Sequence, residues 1–196
     1  MRTGRFLRRS RRGALAAEYA ASLYLLFFFL AFPMINFATV GMRTFFLWFA
    51  CDQAVITAAK CRTFFTPVTI GNTLYPGAYA MAQARANQIR STFPGIHWQN
   101  SPTNPEVDII ITQIPGQPAS SPAPPTKTVG PGPGPGLGLG NTPDVNSYVP
   151  SIRVTIKGWV DPLVPVPLFK IQGLTTSMFL NVTCQQEFEN PPGLQI

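Results

Sequence analysis

Residues 19–42 carry no ionisable group apart from the phenols of Tyr19 and Tyr24, and the stretch 23–32 (LYLLFFFLAF) is apolar on every side of a helix. About 20 such residues cross a bilayer as an α-helix, so the pattern predicts one membrane-spanning segment. A cleaved secretory signal is the competing reading, but its apolar region runs to only about 7–15 residues and ends at small residues. Here the run is longer, and it leads into 41–50 (GMRTFFLWFA), where aromatics beside Arg43 read as an interfacial belt. Proline is tolerated in spanning helices, so Pro33 does not argue against one.

Beyond the span, residues 45–65 lack Gly and Pro and place Ala54, Ala58, Ala59 and Cys61 at helical spacing, which predicts that the helix continues into water. Thr66 and Pro67 stop it. A second, amphipathic helix fits residues 77–93, with Ala78, Ala82, Ile89 and Phe93 near one face and Gln83, Asn87 and Arg90 towards another; Pro94 and Gly95 end it. Three strands are predicted at 107–114, 152–160 and 175–188. The last alternates: Met178, Leu180, Val182, Cys184 and Phe188 share one face, Ser177, Asn181, Thr183, Gln185 and Glu187 the other, and Phe179 breaks the pattern. Cys184 is therefore expected on the buried face of a half-covered strand.

Residues 115–150 between the first two strands hold PAPP at 122–125 and the repeat GPGPGPGLGLG at 130–140. Collagen needs Gly at every third residue and this tract repeats at every second, so it is expected to be a surface loop without regular structure. The expected organisation is a basic leader at 1–13, a spanning and extended helix at 14–65, and an α+β domain with a small antiparallel sheet at 66–196.

Composition sharpens this picture in two ways. With 45% hydrophobic and 12% charged residues the chain is no disordered polymer, but its 21 Pro and 16 Gly limit it to one modest packed core. The net charge of +7 would suggest nucleic acid, except that six of the 15 basic side chains (Arg2, Arg5, Arg8, Arg9, Arg11, Arg12) precede Gly13, which leaves nine against eight acidic ones. A basic tract before an apolar run is a topology signal: arginines stay in the cytoplasm and the chain beyond lies outside. Nucleic acid is accordingly not an expected partner.

Cys51, Cys61 and Cys184 all follow the span, on the side where disulfides persist. Ten positions on a helix rise about 15 Å, too far for Cys51 and Cys61 to bridge each other. Inward-facing Cys184 is expected to pair with the extended helix, with Cys61 favoured in its alanine-rich stretch and Cys51 as the competitor. No cysteine spacing suits a metal, and His97, the only histidine, is far from all three, so neither metal nor cofactor is expected. His97 and Trp98 have no nucleophile, acid or base beside them in sequence, and no catalytic residue is expected. Asn181-Val-Thr183 matches a glycosylation pattern short enough to occur by chance.

The sharpest local feature is Glu18 at the head of the apolar run. A carboxylate just inside a spanning helix costs about 2.5–3.5 kcal/mol, which calls for a cationic partner unless it snorkels to the headgroups. Were the chain cut after Gly13, Ala14 would bear an α-ammonium, and two axially offset helices would pair one copy's Glu18 with the other's amine. Gly13, four residues, then Glu18 and Tyr19 resembles the processing motif of Flp-type prepilins of the tight-adherence (Tad) system, a branch of type IV pili. The long segment after the helix resembles the minor, TadE-like pseudopilins, as do residues 51–60 (CDQAVITAAK) and the closing strands at 152–156 and 175–187. The Pro/Gly loop departs from that family's pattern. The resemblance implies cleavage between Gly13 and Ala14 by a prepilin peptidase, Glu18 and Tyr19 as assembly contacts, and insertion into a pilus or secretion pseudopilus. It also implies as partners other pilin subunits, the membrane and an inner-membrane assembly platform. An uncleaved single-span envelope protein with an outward binding domain is the alternative.

Overall fold

The computed structural model describes residues 4–99, 104–118, 127–129, 144–164 and 170–192, with the backbone alone at 4–16 and 127–129. The chain is α+β, as expected. Helix α1, Gly4–Ala59, runs unbroken through Pro33. The hairpin β1 (Val68–Ile70) and β2 (Thr73–Tyr75) follows, then α2 (Ala78–Thr92) and the short strand β3 (Ile96–Trp98). Strands β4 (Glu106–Gln113), β5 (Lys127–Val129), β6 (Tyr148–Val160) and β7 (Met178–Glu187) complete it.

The larger sheet is antiparallel and organised on β6, which pairs with β7 along one edge and with β4 and then β3 along the other; β5 extends the sheet beyond β4. Asn104 fills the gap between β3 and β4: its Nδ2 donates to the Lys157 and Gln99 carbonyls, and its Oδ1 accepts the Lys157 N–H. The inner face buries Val107, Ile109, Ile111, Ile152, Val154, Ile156 and Val160, and the C-terminal half of α1 lies against it. Two stripes spaced by four residues divide the work of that helix. Leu47, Cys51 and Val55 serve the sheet, as the Cys51 thiol shows by donating to the Val154 carbonyl at 3.1 Å. Ala50, Ala54 and Ala58 continue from Phe46, whose ring stacks on Phe93 just past α2, and so face α2, which presents Ala78, Ala82 and Ala86. Small residues on both helices let the two backbones approach closely.

The alternation expected for the last strand is present, with Met178, Leu180, Val182 and Cys184 less exposed than their neighbours. Phe179 is an exposed outer-face residue that packs on Trp159, its direct partner across the ladder, with ring centroids 5.2 Å apart. On the same outer face, Asp108 is buried and accepts two hydrogen bonds from the Arg153 guanidinium.

Two expectations need correction, and two elements were not foreseen. Helix α1 ends at Ala59 and not near residue 65, because the next residues have other work: the Thr63 and Phe64 carbonyls accept the Ala78 and Tyr79 N–H groups and so cap α2, while Phe64 enters the core. The freed Ala59 carbonyl accepts the Glu189 N–H from the tail of the domain. Within 115–150, β5 pairs Lys127–Val129 with β4, and β6 begins at Tyr148, since the open edge of β4 offers a ladder to any short extended segment. The GPGPGPGLGLG repeat lies outside the described residues. The β1–β2 hairpin (VTI-GN-TLY) was not expected; Gly71, at φ 61°, opens its two-residue turn. Strand β3 was too short to show a period.

Gly77 precedes α2 where a Cβ would lie 2.7 Å from the carbonyl oxygens of both Phe64 and Phe65. These are backbone atoms and cannot swing away. Gly77→Ala should destabilise the domain by about 1–3 kcal/mol, read as a lower denaturant midpoint at unchanged slope; an unchanged midpoint would show that the α1–α2 turn relaxes freely.

Candidate assembly and anchoring site

The two halves of α1 have opposite surroundings. From Ala17 to Leu30 every residue is exposed, including Tyr19, Leu23, Tyr24, Leu25, Leu26 and the Phe27–Phe29 run, whereas burial in the domain begins at Asn36 and Val40. The helix is long and apolar enough to cross a membrane. Water gives no reason for so wide an apolar surface on one monomer. Glu18 stands exposed at its head, and among the described residues no side chain pairs with its carboxylate; its backbone carbonyl accepts the Ser22 hydroxyl. Gly13 and Ala14 lie within α1, where the backbone alone is described.

Two side chains fasten the helix to the domain: Asn36, which sequence reasoning missed, and Arg43, which it read only as part of an interfacial belt. Asn36 is wholly buried: its Nδ2 donates to the Val164 and Leu174 carbonyls at 3.1 and 2.8 Å, and its Oδ1 accepts the Val164 N–H at 3.1 Å. Two turns further on, Arg43 Nη1 donates to the Asp161 and Pro162 carbonyls. Gly95 leaves room for that guanidinium, since a Cβ there would lie 2.3 Å from Arg43 Cζ. The signal for Asn36 was present, as it is the only carboxamide in the run 19–42. Its partners, about 130 residues away, were not legible from any local pattern.

The cysteines are placed differently from expectation. All three are free thiols. Cys51 is buried beneath the β6–β7 pair, its Sγ directed at the Val154 and Val182 carbonyls, and it interacts with the thiol of Cys184, the residue opposite Val154 in the ladder. Cys61 lies past the end of α1 and turns back to the Thr57 carbonyl at 3.4 Å. Cys51, the competitor, is thus the thiol that lies beside Cys184, while Cys61, the partner favoured from the sequence, lies past the helix end with a contact of its own. Burial raises the Cys61 and Cys184 thiols above their ordinary value of 9.0, in Cys184 against an opposing hydrogen bond with Cys51.

Beside Arg43, a serine, an aspartate and a histidine meet. Ser177 Oγ donates to Asp161 Oδ1 at 2.6 Å, and His97 Nε2 lies 2.8 Å from Asp161 Oδ2. A nucleophilic triad needs the imidazole between hydroxyl and carboxylate. Here the carboxylate is in the middle, so the cluster ties β3 to the start of β7 and does not set the imidazole against the hydroxyl. Among the described residues no group of three or more His, Cys, Asp or Glu side chains is placed to hold a metal ion. The chain matches no family model, no curated protein and no solved structure.

Proposed function

We propose that this chain is a minor pilin or pseudopilin of a Tad-type pilus or secretion assembly, held by α1 in the bacterial inner membrane with its folded domain outside. One observation carries the reading: the domain grips only the C-terminal part of α1, while residues 17–30 stay exposed and, from Leu23 on, apolar on all sides. A surface of that kind must be covered from outside the chain, by lipid before assembly and by neighbouring helices within a filament. The six arginines before Gly13 support an inward-facing N-terminus. Exposed Glu18, five positions after Gly13, supports processing at that glycine, because a new amine on Ala14 of one subunit would offset the carboxylate of the next. The protein's work in this reading is structural. Its partners are a prepilin peptidase, the other pilin subunits and an inner-membrane assembly platform.

N-terminal sequencing of membrane-extracted protein, from cells expressing the matching peptidase, tests it. The mature chain should begin at Ala14. An intact Met1 terminus would favour a permanently anchored, unprocessed envelope protein.

A further inference from the structure

The connection from β6 to β7 does not take the short way between adjacent strands. After Val160 its described stretches, 161–164 and 170–177, lie along α1 towards the bare half of the helix, in contact with it at three successive levels. Arg43 holds the Asp161 and Pro162 carbonyls, Val40 meets Gly173 (φ 78°), and Asn36 holds Val164 and Leu174. From Arg43 to Asn36 the descent is about 10 Å. We propose that the described stretches of this connection, 161–164 and 170–177, form a membrane-docking element, seating Leu163, Val164 and Ile171 among lipid acyl chains at the outer edge of the bilayer beside α1. The proposal rests on α1 spanning the membrane and is independent of processing and filament assembly.

Two features suit that depth. Non-helical backbone is tolerated near hydrocarbon only when its polar groups are satisfied within the protein. Here the Asn36 carboxamide uses its donors and its acceptor on Val164 and Leu174, and the turn around Ile171 closes on itself: the Ile171 N–H donates to Thr175 Oγ1, and the Ile171 carbonyl accepts the Leu174 and Thr175 N–H groups. The same contacts explain how an amide is accommodated inside an apolar helix. Outwardly the connection shows apolar side chains, with Leu163 53%, Val164 45% and Ile171 50% exposed, level with the exposed Met34, Ile35 and Phe37 of the helix. Lys170, next to Ile171, is exposed and has the long stem that carries an ammonium up to lipid phosphates.

Lipid is favoured over a second copy of the chain by the shape of the exposed surface. A neighbouring subunit covers one face, but α1 is bare around its whole circumference below the connection, and Leu163, Val164 and Ile171 continue that surface. The test is photocrosslinking of the full chain in vesicles of phosphatidylethanolamine and phosphatidylglycerol. p-Benzoylphenylalanine is placed singly at Leu163 or Ile171, with Phe28 in the bare helix and Leu74 in the β1–β2 hairpin as references; all four side chains are exposed, so the fold is spared. Lipid adducts, read by mass, should form at Phe28, Leu163 and Ile171 and be lost at Leu74. Adducts at Phe28 without adducts at Leu163 and Ile171 overturn the docking element alone, and so does a covalent dimer at Leu163 in place of a lipid adduct. Equal lipid yield at Leu74 and Leu163 overturns it as well. Absence of lipid adducts at Phe28 overturns the membrane reading of α1, and the docking element with it.

Discussion

Protein recovered from an oxidising envelope with its free thiols blocked should yield a Cys51–Cys184 peptide on non-reducing mapping, with Cys61 alkylated. The two thiols meet where β7 crosses α1, and the alternation of β7 turns Cys184 towards the helix. Their oxidation by a thiol–disulfide oxidant would close a loop of roughly 130 residues, worth up to about 5 kcal/mol in the chain-entropy account of cross-links. A domain whose chain is interrupted by a long Pro/Gly tract has much to gain from that constraint. Denaturant unfolding with and without reductant should show the difference, and Cys184→Ala should abolish it while Cys61→Ala leaves it intact. A Cys61–Cys184 peptide would show that the helix and the sheet are docked in a different register, and Cys184 found alkylated in the folded protein would refute the bridge.

The reduced protein carries a pH signature of opposite origin. Burial raises the folded-state pKa of Cys184 and Cys61 above 9.0, so the fold favours the neutral thiols. That contribution is fully present below pH 9.0, the ordinary thiol value, and is lost as pH rises through the raised folded values, because the unfolded chain deprotonates first. Reduced protein should therefore lose stability in alkaline solution, and the bridged form should lose less, since Cys184 no longer titrates.

Glu18→Ala should abolish incorporation into filaments while leaving membrane insertion intact. The carboxylate costs about 2.5–3.5 kcal/mol at the head of an apolar helix, so its removal makes insertion easier. In the proposed assembly it would take away the counter-charge for the Ala14 amine of an adjacent subunit, which would then lie unpaired in an apolar surrounding. Glu18→Gln separates charge from shape: it keeps the size of the side chain and a hydrogen-bonding group but offers no negative charge, and it should fail like Glu18→Ala. Fractionation followed by filament shearing reads both steps. Normal incorporation of either variant would remove Glu18 from the assembly contact and leave the anchoring role of α1 standing.

What the sequence determined by itself is whatever depends on neighbours along the chain. The run at 19–42 specifies an apolar helix because nearly every residue in it is apolar, and burial is not needed to see this. The helical spacing of Ala78, Ala82 and Ile89 marks the buried stripe of α2, and the period-two pattern of β7 turns Cys184 inward. Tertiary structure decided the axial register and the partners of the polar groups. Whether Cys184 meets Cys51 or Cys61 depends on where β6 and β7 cross α1, which follows from the fit of Leu47, Cys51 and Val55 against Val154 and Ile156 and from no local period. The end of α1 at Ala59 was set by the need of α2 for the Thr63 and Phe64 carbonyls, and by Glu189 taking up the Ala59 carbonyl. Asn36 was visible as a lone amide in an apolar run, but the backbone groups that satisfy it come from a connection about 130 residues away. Periodicity records which face of an element is buried; only the packed chain decides what lies against it, because that choice sums over contacts between residues distant in sequence.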